Sequence, residues 1–344
     1  FDSARALLEE FGATVVGPAE LVMTVDDVAA VELPAADLHI LFMASFSDAS
    51  PAVELLGKVK GPVLGWSMRE PGEVGERLKL NSMCGVNLAA HALMNVGQSI
   101  RHIHGNADEA RVQSAIKDAL TGKLPEAITP KSKVGELGSE SEVAKSLAWL
   151  KGKKIGAVGE APVGFTPCVF DGEQLRKYFG LDVRAITIDK AFGRIAEVKE
   201  EQRELAYAGA LAAQPSLASV NVDEAKKVYG VEVALDDWRA EESLDAIAIR
   251  CWPEFPTDLG ACICSSLGRL SDRGTVTTCE RDVLGAVTMM VCESLGSDLN
   301  YLVDIVDLDA DKGLVRLWHC GSAATKLAAD PENATQSIHC NRKL

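Results

Sequence analysis

The sequence predicts an α/β protein with two doubly wound, Rossmann-like parallel-sheet domains, followed by the start of a small C-terminal β domain. Unbroken apolar runs alternate with amphipathic segments, as expected when parallel strands are buried on both faces between helices. Similar segments recur in the same order in the two halves of the chain, which indicates two related units. From Leu299 onward, short alternating runs joined by DADKG favour a hairpin and therefore a change of architecture.

The first half opens with a predicted helix at Ala4 to Phe11, where apolar residues at helical spacing are followed by Gly12 as a stop. The later elements are, in order, a strand at Ala13 to Val16, a helix near Val25 to Val31, strands in LHILFMASF and GPVLGW, and a helix at Asp108 to Leu120. The strand that normally begins such a unit would lie before Phe1. The chain is therefore expected to lack a short N-terminal piece.

The second half repeats this pattern. It predicts a strand and loop in KKIGAVGEAP, a helix in QLRKYF, and strands in LDVRAITI, LDAIAIRCW and GTVTTCERD, of which Leu244 to Trp252 and Gly274 to Cys279 are expected to be neighbours in one sheet. FGATVV corresponds to FGLDVRAITI, ADLHILFMASF to LDAIAIRCWPEF, and GPVLGW to GTVTTCE; chance likeness between two α/β domains is the alternative. The predicted boundaries are an N-terminal α/β domain at 1–122, a linker at 123–150, a second α/β domain at 151–298, and a truncated β domain at 299–344.

Charge and composition exclude several classes of partner. The formal charge is −15, from 35 basic and 50 acidic residues, and no long basic run offers the phosphate-neutralising surface that nucleic acid or an anionic membrane requires. The apolar runs are shorter than the roughly 20 residues that span a bilayer. Nine cysteines, several in apolar runs, and the lack of a signal-like segment predict a reducing cytoplasm.

Several common site motifs are missing. GAVGEAPVGF is not a G-x-G-x-x-G loop, and neither a G-x-S-x-G nor a P-loop occurs, so dinucleotide and nucleotide sites are not predicted. Cys262 and Cys264 form a C-x-C without a second pair, which argues against a structural zinc.

Three potential ligands, Glu280, Asp304 and His319, lie in or at the ends of strand-like runs near the C-terminal end of the sequence. In an open parallel sheet, ligands bind beyond the carboxyl ends of strands, where carboxylates coordinate a hard cation such as Mn²⁺ or Mg²⁺ and an imidazole favours Mn²⁺. A solvated loop carboxylate is the alternative for Glu280, and a core histidine is the alternative for His319. Asp304 lies inside the apolar run LVDIV, where a carboxylate needs a partner.

The sequence contains four further polar residues that are weaker candidates for the site. Glu254 and Asp258 follow a predicted strand end and are expected to line the same crevice. His102 and His104 alternate on what is expected to be a surface strand or loop.

The sequence resembles the L-fucose isomerase and L-arabinose isomerase family over nearly its whole length. The resemblance rests on RCWPEF, on the C-E-x-D-x-x-G-A run from Cys279 to Ala286, on Asp304, and on the W-H-C-G from Trp318 to Gly321. RLKLNSMCG, from Arg77, resembles an N-domain motif of uncharacterised relatives. The resemblance implies two α/β domains, a C-terminal β domain and a Mn²⁺-dependent aldose–ketose isomerase that acts on a monosaccharide through an enediol.

The same resemblance implies roles for individual residues. Glu280 and Asp304 match the two carboxylates that bind metal and move protons. His319 matches a ligand histidine of the arabinose isomerases, which the fucose isomerases lack, and His339 is the only candidate for the other ligand histidine. Trp252 and Glu254 of the W-P-E-F segment are expected to bind substrate.

The family also implies a homo-oligomer in which N-domain residues of a neighbour complete each site, with Arg77, Asn81 and His91 as candidates. Two alternatives stay open. One is a non-catalytic sugar-binding module, because two doubly wound units around a cleft are also typical of such proteins. The other is an isomerase of this fold that acts on a different sugar or sugar derivative.

Overall fold

The computed structural model describes residues 1–18, 20–73, 76–127, 139–320 and 322–336. These residues form two compact units. The first comprises the described residues of Phe1–Lys133, Val163–Pro167 and Asp304–Trp318, and the second comprises those of Val134–Pro162, Cys168–Val303 and His319–Leu344.

The first unit is built on a parallel sheet of three strands, β1 (His39–Met43), β2 (Val63–Ser67) and β3 (Arg101–His104), in the order β1-β2-β3. Its helices are α1 (Asp2–Glu10), α2 (Val25–Ala30), α3 (Ser50–Gly57), α4 (Ser82–Asn95) and α5 (Ala110–Leu120). The indole of Trp66 is fully buried and donates a hydrogen bond of 2.9 Å to the Gly105 carbonyl. A large side chain in the core is thereby satisfied at its one polar atom.

The strand predicted at Ala13 to Val16 is wrong. The segment is irregular, although Ala13 and Val15 pack against the core of the first sheet, as the alternating pattern requires. An alternating segment becomes a strand only where a neighbouring strand offers hydrogen-bond partners. In the described part of the chain, none pairs with this segment.

The predicted hairpin is confirmed. Strands β8 (Asp304–Asp309) and β9 (Leu314–Trp318) are antiparallel, with a register shift between Ile305 and Asp307. This hairpin groups with the first unit, and its Val306 and Asp307 are both buried. The predicted domain boundaries themselves stay predictions.

A buried polar relay joins the hairpin to the first sheet. Ser67 Oγ lies 2.8 Å from both His102 Nε2 and His104 Nδ1, and His104 Nε2 lies 2.7 Å from Asp307 Oδ1. With both rings neutral and protonated on Nε2, His102 donates to Ser67, Ser67 donates to His104, and His104 donates to Asp307. Arg69 Nε donates to the same carboxylate over 2.8 Å. Because Ser67 is fully buried, we interpret the relay as a structural tie between strands.

The surface location expected for His102 and His104 is therefore wrong. His104 is buried and His102 is partly buried, because the register of β2 with β3 sets the two rings around Ser67. Burial, with a smaller contribution from the charge of His104, lowers the pKa of His102 to about 4.

This shift predicts a pH dependence of stability. The unfolded chain protonates His102 near its ordinary pKa of 6.5, whereas the folded chain does so near 4, so the folded state binds fewer protons between these values. The free energy of unfolding should fall as pH drops through this window, by about 3 kcal/mol at most from this residue. Denaturant titrations between pH 4 and 7 would measure it, and His102→Gln should flatten the slope. An unchanged slope in that variant would contradict the assignment.

The second unit is built on a parallel sheet in the order β5-β4-β6-β7, from β4 (Lys154–Val158), β5 (Asp182–Ile186), β6 (Ala246–Ile249) and β7 (Val276–Thr278). Its helices are α6 (Glu140–Leu150), α7 (Gly172–Phe179), α8 (Ile188–Glu197), α9 (Glu200–Ala213), α10 (Val222–Glu242), α11 (Cys264–Asp272) and α12 (Val283–Ser294). The predicted neighbours β6 and β7 do pair, and every residue of β6 is fully buried. The predicted α/β class is confirmed.

The stretch predicted as a linker, 123–150, ends in helix α6, and residues 128–138 lie outside the described part.

Within the residues that the structure describes, no helix has the length and apolar character needed to cross a membrane.

Candidate active site in the second unit

Glu280 lies just beyond the carboxyl end of β7, the edge at which parallel sheets bind ligands. Glu280 and Arg281 both have left-handed backbone conformations, with φ of +53° and +58°. This conformation costs roughly 1–2 kcal/mol for each residue that is not glycine. The turn is held because the Arg281 amide donates to the Ile249 carbonyl over 3.0 Å and the Thr278 hydroxyl donates to the Asp282 carbonyl over 2.8 Å. Strain held in this way is characteristic of functional sites.

The C-E-x-D-x-x-G run has a clear structural part. Asp282 is the N-cap of α12, and its carboxylate accepts a hydrogen bond of 2.7 Å from the Gly285 amide. A Cβ atom at residue 285 would lie 2.4 Å from an Asp282 carboxylate oxygen, so a side chain there would displace the carboxylate from its position at the cap. Burial raises the pKa of Asp282, against the opposing effects of the capping amides and His319. The aspartate and glycine thus fix the helix start beside Glu280.

The structure brings Glu280 and His319 together. The distance from Glu280 Oε2 to His319 Nε2 is 3.6 Å, and the two side chains are 19% and 5% exposed. His319 Nδ1 lies 3.4 Å from Ser322 Oγ, and the ring lies beside Tyr301 with centroids 6.2 Å apart. A buried imidazole thus faces a carboxylate that keeps partial access to solvent.

The remaining predicted ligands are placed differently. Asp304 is the first residue of β8, opposite Trp318, and is half-buried in the first unit. Its part in a metal site therefore stays a prediction. His339 lies outside the described residues, as does Gly321 at the end of the W-H-C-G run.

The two predicted substrate-binding residues lie in the loop after β6. Glu254 forms a close ion pair with Arg250, at 2.9 Å from Nε and 2.6 Å from Nη2. Trp252 packs partly against the core of the second unit. Asp258 is exposed and accepts a hydrogen bond from Thr257.

Two features of this edge were missed from the sequence. The first is a group of thiols: one ligand atom from each of Cys279, His319 and Cys320 lies within 4.8 Å of the others, which is a possible metal-binding triad. Hydrogen bonding with the thiols of Cys251, Cys264 and Cys320, together with burial, raises the pKa of Cys279. The only sequence signal was a cysteine at each of two strand ends and one directly after His319.

The second missed feature is Arg281, which is 8% exposed. Its guanidinium lies over the Phe170 ring at 4.9 Å and 3.7 Å from the exposed carboxylate of Glu160. Its buried Nε has no hydrogen-bond partner among the described residues. A buried N–H without a partner is costly, so it indicates a missing acceptor.

No family model matches the chain. Among curated proteins it is similar to the sulfoquinovose isomerase of Alkalicoccus urumqiensis, at 33% identity over 95% of this chain and 70% of that protein. It is also similar to the sulfoquinovose isomerases of Priestia aryabhattai, at 30% identity over 96% and 70%, and of Clostridium sp. (strain MSTE9), at 27% over 100% and 73%.

Fold and relatives together define the class, which is an aldose–ketose isomerase, an intramolecular oxidoreductase. The chain belongs to the sulfoquinovose isomerase family. The predicted enzyme class is confirmed and the non-catalytic sugar-binding module is disfavoured. The specific L-fucose and L-arabinose isomerase family, which the sequence resembles, is not confirmed.

Proposed function

We propose that the protein isomerises sulfoquinovose, a hexose that carries a sulfonate on C6, to the corresponding ketose. The observation that carries the proposal is the pair of Glu280 and His319 at the carboxyl edge of the second sheet, in a chain whose relatives are named for this reaction. Glu280 and Asp304 act as the acid–base pair, and the reaction passes through an enediol.

The donor set at this edge fits a divalent metal. A carboxylate oxygen and an imidazole nitrogen 3.6 Å apart need only a small side-chain shift to reach one ion, because two ligands at about 2.1 Å in octahedral geometry lie about 3 Å apart. This mixture of donors suits Mn²⁺. Asp304 and His339 are the further ligands proposed from the sequence. When bound, the metal would polarise the sugar carbonyl.

The protein residues supply the proton transfers. Isomerisation moves a proton between C1 and C2, which requires a base at one carbon and an acid that serves the neighbouring oxygen. Glu280 suits such a role because it keeps partial solvent access while the buried His319 faces its carboxylate. The strained turn fixes where that carboxylate points. Either Glu280 or Asp304 can take the first proton.

We also propose that the protein is a homo-oligomer, as the resemblance implies. Of the three candidate residues, Arg77 is exposed, Asn81 precedes α4 with φ of +49°, and the His91 ring hydrogen-bonds Thr166 over 2.7 Å. Light scattering that found a monomer at micromolar concentration would contradict this part.

The test of function is an assay of the full chain with Mn²⁺ against sulfoquinovose, glucose, L-fucose and L-arabinose. We expect turnover of sulfoquinovose, and in D₂O we expect solvent deuterium in the product, because an enediol exchanges its proton through a carboxylate. Turnover of L-fucose or L-arabinose in its place would refute the substrate and favour the alternative resemblance. Complete retention of the substrate hydrogen would refute the enediol.

Arg281 is the proposed partner of the sulfonate. It adjoins Glu280 in the chain and holds a buried Nε without an acceptor, and the guanidinium fork can donate two parallel hydrogen bonds to two oxygens of a tetrahedral anionic group such as a sulfonate. Arg281→Gln should lower kcat/KM for sulfoquinovose by roughly 10- to 100-fold, the range expected for one hydrogen bond to a charged group. Turnover of an unsulfonated hexose should change little.

Steady-state kinetics on both sugars would measure this difference. Arg176→Gln, at an exposed ion pair of the same unit, is the matched control. Because glutamine would occupy the same left-handed conformation, backbone strain is equal before and after the change. Equal losses on both sugars would contradict a sulfonate contact.

A further inference from the structure

Four thiols lie together in the second unit, and two of them lie beside His319. We name Cys251, Cys264, Cys279 and Cys320 the thiol cluster; they come from the loop after β6, the start of α11, the end of β7 and the residue after His319. Cys251, Cys264 and Cys279 are buried, and Cys320 is partly exposed.

The spacing of these thiols matches a tetrahedral metal site. Cys264 Sγ and Cys320 Sγ are 3.7 Å apart. Two thiolates on one Zn²⁺, with bonds of about 2.3 Å, place their sulfurs about 3.8 Å apart. The ligand atoms of Cys279, His319 and Cys320 already lie within 4.8 Å of one another, so small side-chain adjustments close the set.

We propose that Cys279, Cys320 and His319, with Cys264 as the fourth ligand, form a site for a thiophilic divalent cation such as Zn²⁺. The C-x-C of Cys262 and Cys264 gave no reason to expect this, because the other ligands are distant in sequence. On binding, three thiols become thiolates and their protons pass to water while three S–metal bonds and one N–metal bond form.

This site is chemically distinct from the manganese site of the proposed function. Thiolates select Zn²⁺ and other soft ions, whereas carboxylates suit Mn²⁺. His319 is common to the two donor sets, so an ion held by the thiols withdraws the imidazole from Glu280. Zn²⁺ should therefore inhibit Mn²⁺-supported turnover. Binding stands without the proposed function, and only this inhibitory consequence rests on it.

Co²⁺ is the probe, added to the metal-free full chain with a reductant that contains no thiol. We expect one Co²⁺ per chain, with a thiolate-to-cobalt charge-transfer band and the intense visible bands of tetrahedral coordination. Zn²⁺ should abolish both, and excess Mn²⁺ should not. Cobalt binding without the charge-transfer band, or no binding, overturns the proposal.

Cys320→Ser is the decisive variant, because it removes a ligand that is partly exposed and so disturbs the core least. Its Zn²⁺ affinity should fall by more than the roughly 10- to 100-fold that loss of an outer partner costs. Cys292→Ser, at an exposed thiol of α12, should keep the wild-type spectrum. A band that persists in Cys320→Ser overturns the ligand assignment.

Two checks keep the outcomes separate. Circular dichroism establishes that Cys320→Ser is folded, and Cys264→Ser offers a second variant with the same expected loss. The spectra report ligands whether or not the chain turns over any sugar, so failure of the isomerase assay and failure of the thiol site are distinguishable.

Discussion

Glu280→Gln is expected to lower kcat for sulfoquinovose by roughly 10² to 10⁴-fold, the contribution typical of general acid–base catalysis. Glutamine keeps the size of the side chain and the left-handed backbone of residue 280. It removes the proton acceptor and one negative charge facing His319. Because proton transfer to this group takes place only in the transition state, the loss should appear mainly in kcat.

The control for this prediction is Glu173→Gln, which neutralises an 83% exposed carboxylate of the same unit. Stopped assays with Mn²⁺, with circular dichroism to verify the fold, provide the measurement. We expect wild-type turnover in the control. Full activity in Glu280→Gln would remove this residue from the mechanism and direct attention to other carboxylates.

The strands of the two sheets could be predicted because a buried parallel strand appears in the sequence as an unbroken apolar run. LHILFMASF and LDAIAIRCW are apolar without interruption, since both faces of each strand are covered. The pairing of β6 with β7 was predicted from the same apolar runs and from their order in the chain. Ala13 to Val16 has the alternating pattern but no neighbouring strand, a fact that no local pattern contains.

The candidate site was only partly predictable. Glu280 could be named because it follows a strand end, and His319 because a motif and a resemblance pointed to it. The thiol cluster could not, because each cysteine by itself is an ordinary small hydrophobe and only the fold brings the four together. Arg281 could not be predicted either, because the missing acceptor at its Nε can be recognised only in the folded structure.

The hydrogen-bonded relay through Asp307 could not be predicted either, because its members are far apart in the sequence. His104 and Arg69 lie far from Asp307 along the chain, and nothing near Asp307 in the sequence indicates either partner. The register shift in β8 sets two successive buried residues, Val306 and Asp307, where strict alternation would bury only one.

Asp307→Asn is expected to destabilise the protein by about 2–3 kcal/mol. Removing one partner of a buried ion pair typically costs roughly 3–5 kcal/mol, because the other charge is left uncompensated. The smaller value applies here because Arg69 is 23% exposed and retains Asp309 at 3.5 Å and Glu109 at 3.8 Å. At about 2–4 °C per kcal/mol, the melting temperature should fall by roughly 5–10 °C.

Calorimetry or thermal circular dichroism would measure the shift, and Asp311→Asn, in the exposed turn of the hairpin, should leave the melting temperature unchanged. Burial alone would raise the pKa of Asp307, but Arg69 and His104 outweigh it and hold that pKa below its ordinary value. The wild type should therefore lose this stabilisation as the pH falls below about 4, through the folded pKa, and the variant should not. Equal melting temperatures for wild type and Asp307→Asn at neutral pH would contradict the role of the relay. Asp307 lies in the strand that begins at Asp304. We therefore also expect Asp307→Asn to lose isomerase activity at temperatures at which it is still folded. This loss rests on the proposed role of Asp304.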